Sequence, residues 1–285
     1  MKPFIRCAVL ALVLPAATIA ADFREHLGLQ LYSLRAQTKE STTGALDIAK
    51  SYGIKEVELA GTGDLTPEQF AAELKSRGLV PVSAHFGYNL FDQDVAAVIR
   101  DAKTLGVKFV MVPYPPVGKD KIFSEELARQ TAAKFNEWGE ACKKAGLRFG
   151  YHPHGLEFRP TDKGAGETVF DILVRETKPE FVSFQMDVYW VAYAGQDPAK
   201  LLQKYPNRWV TLHIKDMLKG LATGVHTGGT PPTAKVTVGQ GQIDYPTVLR
   251  AAQKIGIQHY FLEDETPTPL QCIPDSFKYL RGLKL

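Results

Sequence analysis

The chain has 285 residues, 45% of them hydrophobic and 23% charged, with a formal net charge of +3. That is ordinary globular composition at about the length of a (β/α)8 barrel, and it excludes a disordered chain. No later stretch carries a block of Lys or Arg, so nucleic acid is not an expected partner.

Residues 1–21 differ from the rest. Lys2 and Arg6 precede an apolar run from Cys7 to Leu14, followed by Pro15 and the small residues Ala16, Ala17, Thr18, Ala20 and Ala21. This reads as a secretory signal cut after Ala20 or Ala21, too short to span a bilayer; a retained N-terminal anchor is the plainer alternative. We therefore expect residues 22–285 to form one soluble domain, secreted or periplasmic and free of the membrane after cleavage. Loss of Lys2 and Arg6 would take the charge from +3 to +1. Cys7 leaves with the signal, and Cys142 lies in a helical run far from Cys272. Two buried free thiols are expected rather than a disulfide.

From residue 27 onward short β-rich runs alternate with amphipathic helical runs. Strands are expected near 27–33, 54–60, 79–85, 107–113, 147–152, 181–187, 209–215 and 259–264. Helices are expected near 42–52, 67–77, 92–105, 124–145, 167–177, 197–204, 246–255 and 270–281. Gly53, Gly78, Gly106, Gly146 and Gly256 each stand just before a strand, where a helix C-terminus wants a residue that tolerates left-handed backbone. Eight such βα units, with no Gly-x-Gly-x-x-Gly after the first strand, favour a closed (β/α)8 TIM barrel over an open doubly wound sheet. Two connections that follow strands are long, 153–166 and 216–244. They fall on the catalytic face of a barrel, and the second, rich in Gly, Thr and Pro, is expected to act as a lid.

Strand parity then selects the inward side chains. In Trp209-Val-Thr-Leu-His-Ile-Lys-Asp216 the residues Val210, Leu212 and Ile214 make one apolar face, which leaves His213 and Lys215 facing the barrel axis. The same reasoning turns Ser183, Gln185 and Asp187, Glu263 and Glu265, Gly150, His152 and His154, His85, Glu58, and Gln30 and Tyr32 inward. So many polar groups at strand ends are not core filler, because a buried carboxylate needs a counter-charge. A divalent cation would supply it, and carboxylates with one imidazole suit Mn2+, Mg2+, Co2+ or Zn2+. Taken singly, Asp187 could be a helix cap, His213 a hydrogen-bonded core histidine, Glu157 a solvated loop carboxylate, and Glu263 a salt-bridge partner of Lys215.

At these residues the chain resembles a known family. Gly150-Tyr-His-Pro-His-Gly-Leu-Glu-Phe158, Met186-Asp-Val-Tyr-Trp190, Ala194-Gly-Gln-Asp-Pro198, Leu212-His-Ile-Lys-Asp216, Val238-Gly-Gln-Gly-Gln-Ile-Asp244 and Leu262-Glu-Asp-Glu265 look like the sugar phosphate isomerase/epimerase family. This is the xylose isomerase-like TIM barrel group, here in an exported form, and the similarity runs from Leu29-Gln-Leu-Tyr-Ser33 onward. The resemblance implies one divalent metal, often Mn2+, and a polyhydroxylated carbonyl substrate. It also implies Asp187, His213 and Glu263 as metal ligands. The fifth strand departs from the pattern: Gly150 and Tyr151 stand where many relatives carry a ligand Glu. Glu157 matches a later Glu of a subgroup and is taken as the fourth ligand, with His152 or His154 as rivals.

The expected activity is isomerisation or epimerisation of a non-phosphorylated sugar or keto-sugar through an enediolate, with β-elimination from a keto-glycoside by a lyase or hydratase as the alternative. Glu263 or His154 is assigned proton abstraction, and Lys215 stabilisation of negative charge. Glu58, His85, His152 and Trp190 are assigned substrate contacts. The plainer reading of Lys215 is a structural bridge to Asp216 or Glu265. A non-catalytic sugar-binding barrel is the alternative of another class, and the set Asp187, His213, Lys215 and Glu263 argues against it. DNA-repair chemistry of the endonuclease IV type would need more histidines and a basic face.

Overall fold

The computed structural model describes residues 22–164 and 166–285; the expected signal segment, 1–21, lies outside them. Eight parallel strands close into a barrel: β1 (Leu27–Gln30), β2 (Glu56–Leu59), β3 (Val80–His85), β4 (Phe109–Val112), β5 (Arg148–Tyr151), β6 (Ser183–Asp187), β7 (Trp209–Ile214) and, last in the chain, β10 (His259–Leu262). Each strand lies beside its sequence neighbour. β10 closes the circle between β7 and β1, with Leu27 opposite Tyr260. A separate antiparallel pair, β8 (Asp216–Met217) and β9 (Lys235–Val236), lies inside the long connection after β7.

The helices are α1 (Arg35–Glu40), α2 (Thr42–Ser51), α3 (Pro67–Arg77), α4 (Tyr88–Leu105), α5 (Glu125–Lys144), α6 (Val169–Glu176), α7 (Val188–Tyr193), α8 (Pro198–Lys204), α9 (Tyr245–Lys254) and α10 (Pro269–Gly282). Their ends follow local chemistry. Thr66 and Gln69 exchange side-chain-to-backbone bonds ahead of Pro67, and α3 stops where Gly78 takes φ +69°. Helix α5 carries Glu125 and Glu126 in its first turn and Lys143 and Lys144 in its last, matching the helix dipole. Among the described residues no helix is long and apolar enough to cross a membrane.

The main apolar core lies between strands and helices, and includes Leu29, Val57, Val110, Phe149, Phe184, Leu212 and Leu262. A smaller cluster, Val82, Phe109, Met111, Val210 and Phe261, packs separately. Phe261 meets His213 edge-on and Phe109 meets His259, so this plug lies between two polar groups.

Three expectations are corrected. The first strand ends at Gln30 rather than 33, because the Gln30 side chain accepts the Tyr32 amide and starts a 3-10 turn over Leu31–Leu34. The stretch after β6, where no helix is expected before residue 197, forms α7, with Asp187 accepting the amide of Trp190. Cys142 and Cys272 are free as expected, and of these two Cys142 is buried while Cys272, near the start of α10, is partly exposed.

Candidate metal centre

The C-terminal ends of β6, β7 and β10 converge, as barrel geometry requires of neighbouring strands. Asp187, His213 and Glu263 are buried and present ligand atoms within 4.8 Å of one another. His213 Nδ1 lies 3.0 Å from Glu263 Oε2 and 3.8 Å from Asp187 Oδ2. His152 joins them, its Nε2 3.8 Å from Asp187 Oδ2. Asp187 Oδ1 is used by the Trp190 amide, whereas Oδ2 is buried without a hydrogen-bond partner. The Lys215 ammonium stands 3.5 Å from this oxygen but is shared with Glu263 and Glu265, which leaves Oδ2 able to bind a further cation. A buried Asp, Glu and His cluster also has the donor chemistry of a divalent metal site, so the residues present fit such an ion.

Beneath this group Glu58 and Gln185 fix the orientation of the imidazoles. Glu58 Oε2 meets His213 Nε2 in a short contact and lies 3.3 Å from His85 Nε2; Gln30 Nε2 donates to it at 2.7 Å. Gln185 Nε2 donates to Glu58 Oε1 at 2.7 Å and to Thr211 at 2.8 Å. The Gln185 carbonyl oxygen therefore faces the other way, 2.9 Å from both His85 Nε2 and His152 Nδ1. Because an amide oxygen only accepts, both nitrogens carry hydrogen, and His152 Nε2 is left with a free lone pair beside Asp187. Glu58 holds His213 in the same manner, as a carboxylate behind a metal-binding imidazole does.

Charge follows this geometry. Burial works against ionised Glu58, but His85 and His213 outweigh it and hold the carboxyl well below the usual range. Burial also opposes a charged His213, yet Glu58 and Glu263 push it up to about 10. Lys215 is fully enclosed, with Nζ 2.8 Å from Glu263 Oε2, 2.5 Å from Glu265 Oε1 and 3.5 Å from Asp187 Oδ2. Burial raises Asp187, whereas Glu263 stays well below the usual range because Lys215 and His213 overcome its desolvation. Burial takes His154 down to about 3, so that imidazole is neutral.

Above the cluster lies a cavity of about 510 Å³, lined among others by Tyr32, His85, His152, His154, Trp190, Lys235, Glu263 and Glu265. Its volume suits a small ligand. Gly228, Gly229 and Thr230 of the long connection also line it. The connection is tied at its base by Asp216, whose carboxylate accepts the amides of Met217, Gly239, Gly241 and Ile243. Trp190 Nε1 and His154 Nδ1 are buried and unpartnered.

Most expected residues meet here, in different parts. Glu58 has both oxygens engaged below the cavity rather than lining it. Glu157 lies apart from the grouped ligand atoms: it is buried, accepts the Tyr151 hydroxyl and the His154 amide, and burial raises its pKa. Lys215 bridges to Glu265 but not to Asp216, whose carboxylate the amides of the long connection occupy. Gln185, Glu265 and Lys235 gained no role from sequence reasoning. Inward parity marked the first two, while Lys235 sits in a connection with no strand to assign its direction.

A closed barrel with acidic and imidazole donors at the C-terminal ends of its last strands defines a (β/α)8 protein whose donor set is consistent with a divalent metal. The chain belongs to the xylose isomerase-like TIM barrel family, whose profile matches residues 46–283. It is 26% identical over 172 residues to an inosose dehydratase of Geobacillus thermodenitrificans, covering 58% of this chain and 55% of that protein, so it spans about half of that relative. It is 27% identical over 243 residues to an inosose dehydratase of Mesomycoplasma hyopneumoniae, covering 74% of this chain and 78% of the relative. The crystal structure of a sugar phosphate isomerase/epimerase from Parabacteroides distasonis superposes with a TM-score of 0.76 at 25% identity, over 94% of this chain and 96% of that one.

Proposed function

We propose that the protein is an exported, divalent-metal-dependent enzyme that removes the proton next to the carbonyl of a non-phosphorylated sugar or keto-sugar, and returns it as an isomerase or epimerase. The observation that carries this reading is the buried Asp187 Oδ2, which makes no hydrogen bond and lies among His213, Glu263 and His152, the last two of which line the cavity. Asp187, His213 and Glu263 would hold the ion, with His152 rather than Glu157 as the fourth ligand, since Gln185 leaves its Nε2 lone pair directed at the site. Mn2+ is the ion we favour, with Mg2+, Co2+ and Zn2+ as alternatives. The chemistry such an ion supplies is stabilisation of the negative charge that develops on the carbonyl oxygen.

The chain's own groups do the rest. Lys215 and Lys235, bridged by Glu265, place two ammonium groups beside the place where that charge appears. Glu263 stays ionised and can accept a proton, and neutral His154 offers Nδ1 for the same role. Trp190 and Tyr32 give the cavity apolar walls against which a sugar ring can lie, and the Gly228–Thr230 edge limits water.

A second reading, loss of water or of an aglycone by β-elimination from the same enediolate, is favoured by the inosose dehydratase relatives. One experiment tests both. Ketoses and 3-keto-glycosides are incubated with metal-loaded protein in D2O and followed by NMR. Deuterium in recovered substrate or isomer supports the first reading, and an unsaturated or aglycone-free product the second. Neither, from protein that binds stoichiometric metal, would leave a sugar-binding barrel.

A further inference from the structure

The N-terminal mouth of the barrel carries a second group of metal-ligating side chains. His26 directly precedes β1, Glu56 opens β2 and His259 opens β10; β1 lies between the other two, and β10 is its neighbour only because the barrel closes. The register sets His26 level with His259, and Gly28 makes room for Glu56: a Cβ on Gly28 would lie 2.4 Å from the Glu56 carbonyl oxygen. Glu56 Oε1 is 2.6 Å from His26 Nδ1, and Oε2 is 2.7 Å from His259 Nδ1. The two rings meet edge to face, their centroids 5.0 Å apart at 68°, and both Nδ1 atoms turn toward the one Glu56 carboxylate.

We propose that His26, Glu56 and His259 form a second, non-catalytic site for a d-block dication of the Zn2+ type, which staples the first, second and last barrel strands. Two imidazoles and a carboxylate, with water in the fourth position, are a preferred Zn2+ ligand set and a poor one for Mg2+ or Ca2+. The ligand atoms already lie within 4.8 Å of one another; each Nδ1 here gives its hydrogen to a Glu56 oxygen, and an entering dication would displace those two hydrogens, leaving the remaining one of each neutral imidazole on Nε2. Solvent can reach the group: His259 lines a cavity of about 280 Å³ open at this face, and the His26 side chain is 37% exposed. Two cations share that cavity, and both are turned to other partners. Lys108 Nζ lies over the Phe109 ring and Arg148 Nε donates to Ser183 Oγ. The Phe109 and Phe261 plug separates this group from the catalytic mouth, where the chemistry of such barrels resides.

The test is metal stoichiometry. The full described chain is stripped with chelator, loaded with Zn2+ and desalted, and its metal content is measured alongside its thermal midpoint. His26→Ala and His259→Ala should each hold one Zn2+ equivalent fewer than the unsubstituted protein, lose part of the Zn2+-induced rise in midpoint, and keep its turnover. Asp187→Asn should lose a different equivalent, so that the double variant with His26→Ala loses both. If Asp187→Asn loses none, the catalytic-site reading fails while this one stands. Should His259→Ala not fold, His26→Ala decides, since its side chain is partly exposed and precedes the strand. Zn2+ content equal to the unsubstituted protein in His26→Ala overturns the proposal.

Discussion

Gln185 decides which nitrogen each neighbouring imidazole presents, and its removal should be costly even though it touches no reacting atom. Gln185→Leu leaves His85, His152, Glu58 and Thr211 each short of a bond. At about 1 kcal/mol or more per buried unsatisfied group, the loss should reach at least about 3 kcal/mol in urea unfolding. Lys215 acts through charge. Its ammonium is enclosed by Asp187, Glu263 and Glu265, so Lys215→Met leaves three close carboxylates without that counter-ion. We expect chelator-treated Lys215→Met to lose about 3–5 kcal/mol in urea unfolding, with most of it restored by added Mn2+. An equal loss with and without Mn2+ would show that no ion binds among those carboxylates.

The connection between β7 and α9 behaves as an element in its own right, because one buried residue knots it. Four amides converge on Asp216, and a Cβ on Gly241 would lie 2.1 Å from Asp216 Oδ1 and 2.4 Å from the Met217 carbonyl. Gly241→Ala should therefore loosen residues 218–234 before it loosens the barrel. Limited proteolysis should cut there faster while far-UV circular dichroism stays native, and KM for substrate should rise more than kcat falls. The regular elements were legible because their signals are local: Thr66-Pro-Glu-Gln69 opens α3 and Gly78 ends it. The 3-10 turn after β1 and the short α7 were not, because each is started by one side chain, Gln30 or Asp187, whose capping role competes in sequence with a role in the site. Parity turns Asp187, His213 and Glu263 inward together with many other polar residues, and the family resemblance is what singles out these three as ligands. Which inward residues pair with one another is not written in parity, and so sequence alone does not show that Glu58 engages His213 and Gln185 or that Gln185 orients His152. Glu157 follows Tyr151, whose ring points away from the axis into the aromatic core beside Phe135.

At the scale of the whole molecule, the histidines set opposing limits on stability. His154, and His152 with it, are held below their ordinary value of 6.5 by burial, His154 to about 3. Between those pH values the unfolded chain binds more protons, so stability falls as pH drops below about 6.5. His213, raised to about 10, contributes stability that is complete below 6.5 and is lost as pH climbs toward 10. Thermal midpoints of the chelator-treated protein should therefore peak near pH 6.5, and His154→Gln should flatten the acid side alone. The closure of β1 on β10 bears on how the chain reaches this state. Leu27 pairs with Tyr260 near the opposite end of the sequence, so β1 has β2 on one side and nothing on the other until the last strand has been made. In hydrogen-exchange pulse labelling during refolding, the amides bridging β1 and β10 should be the last barrel amides protected. Until then the chain carries an open, apolar strand edge, and the protein is most exposed to aggregation in that interval.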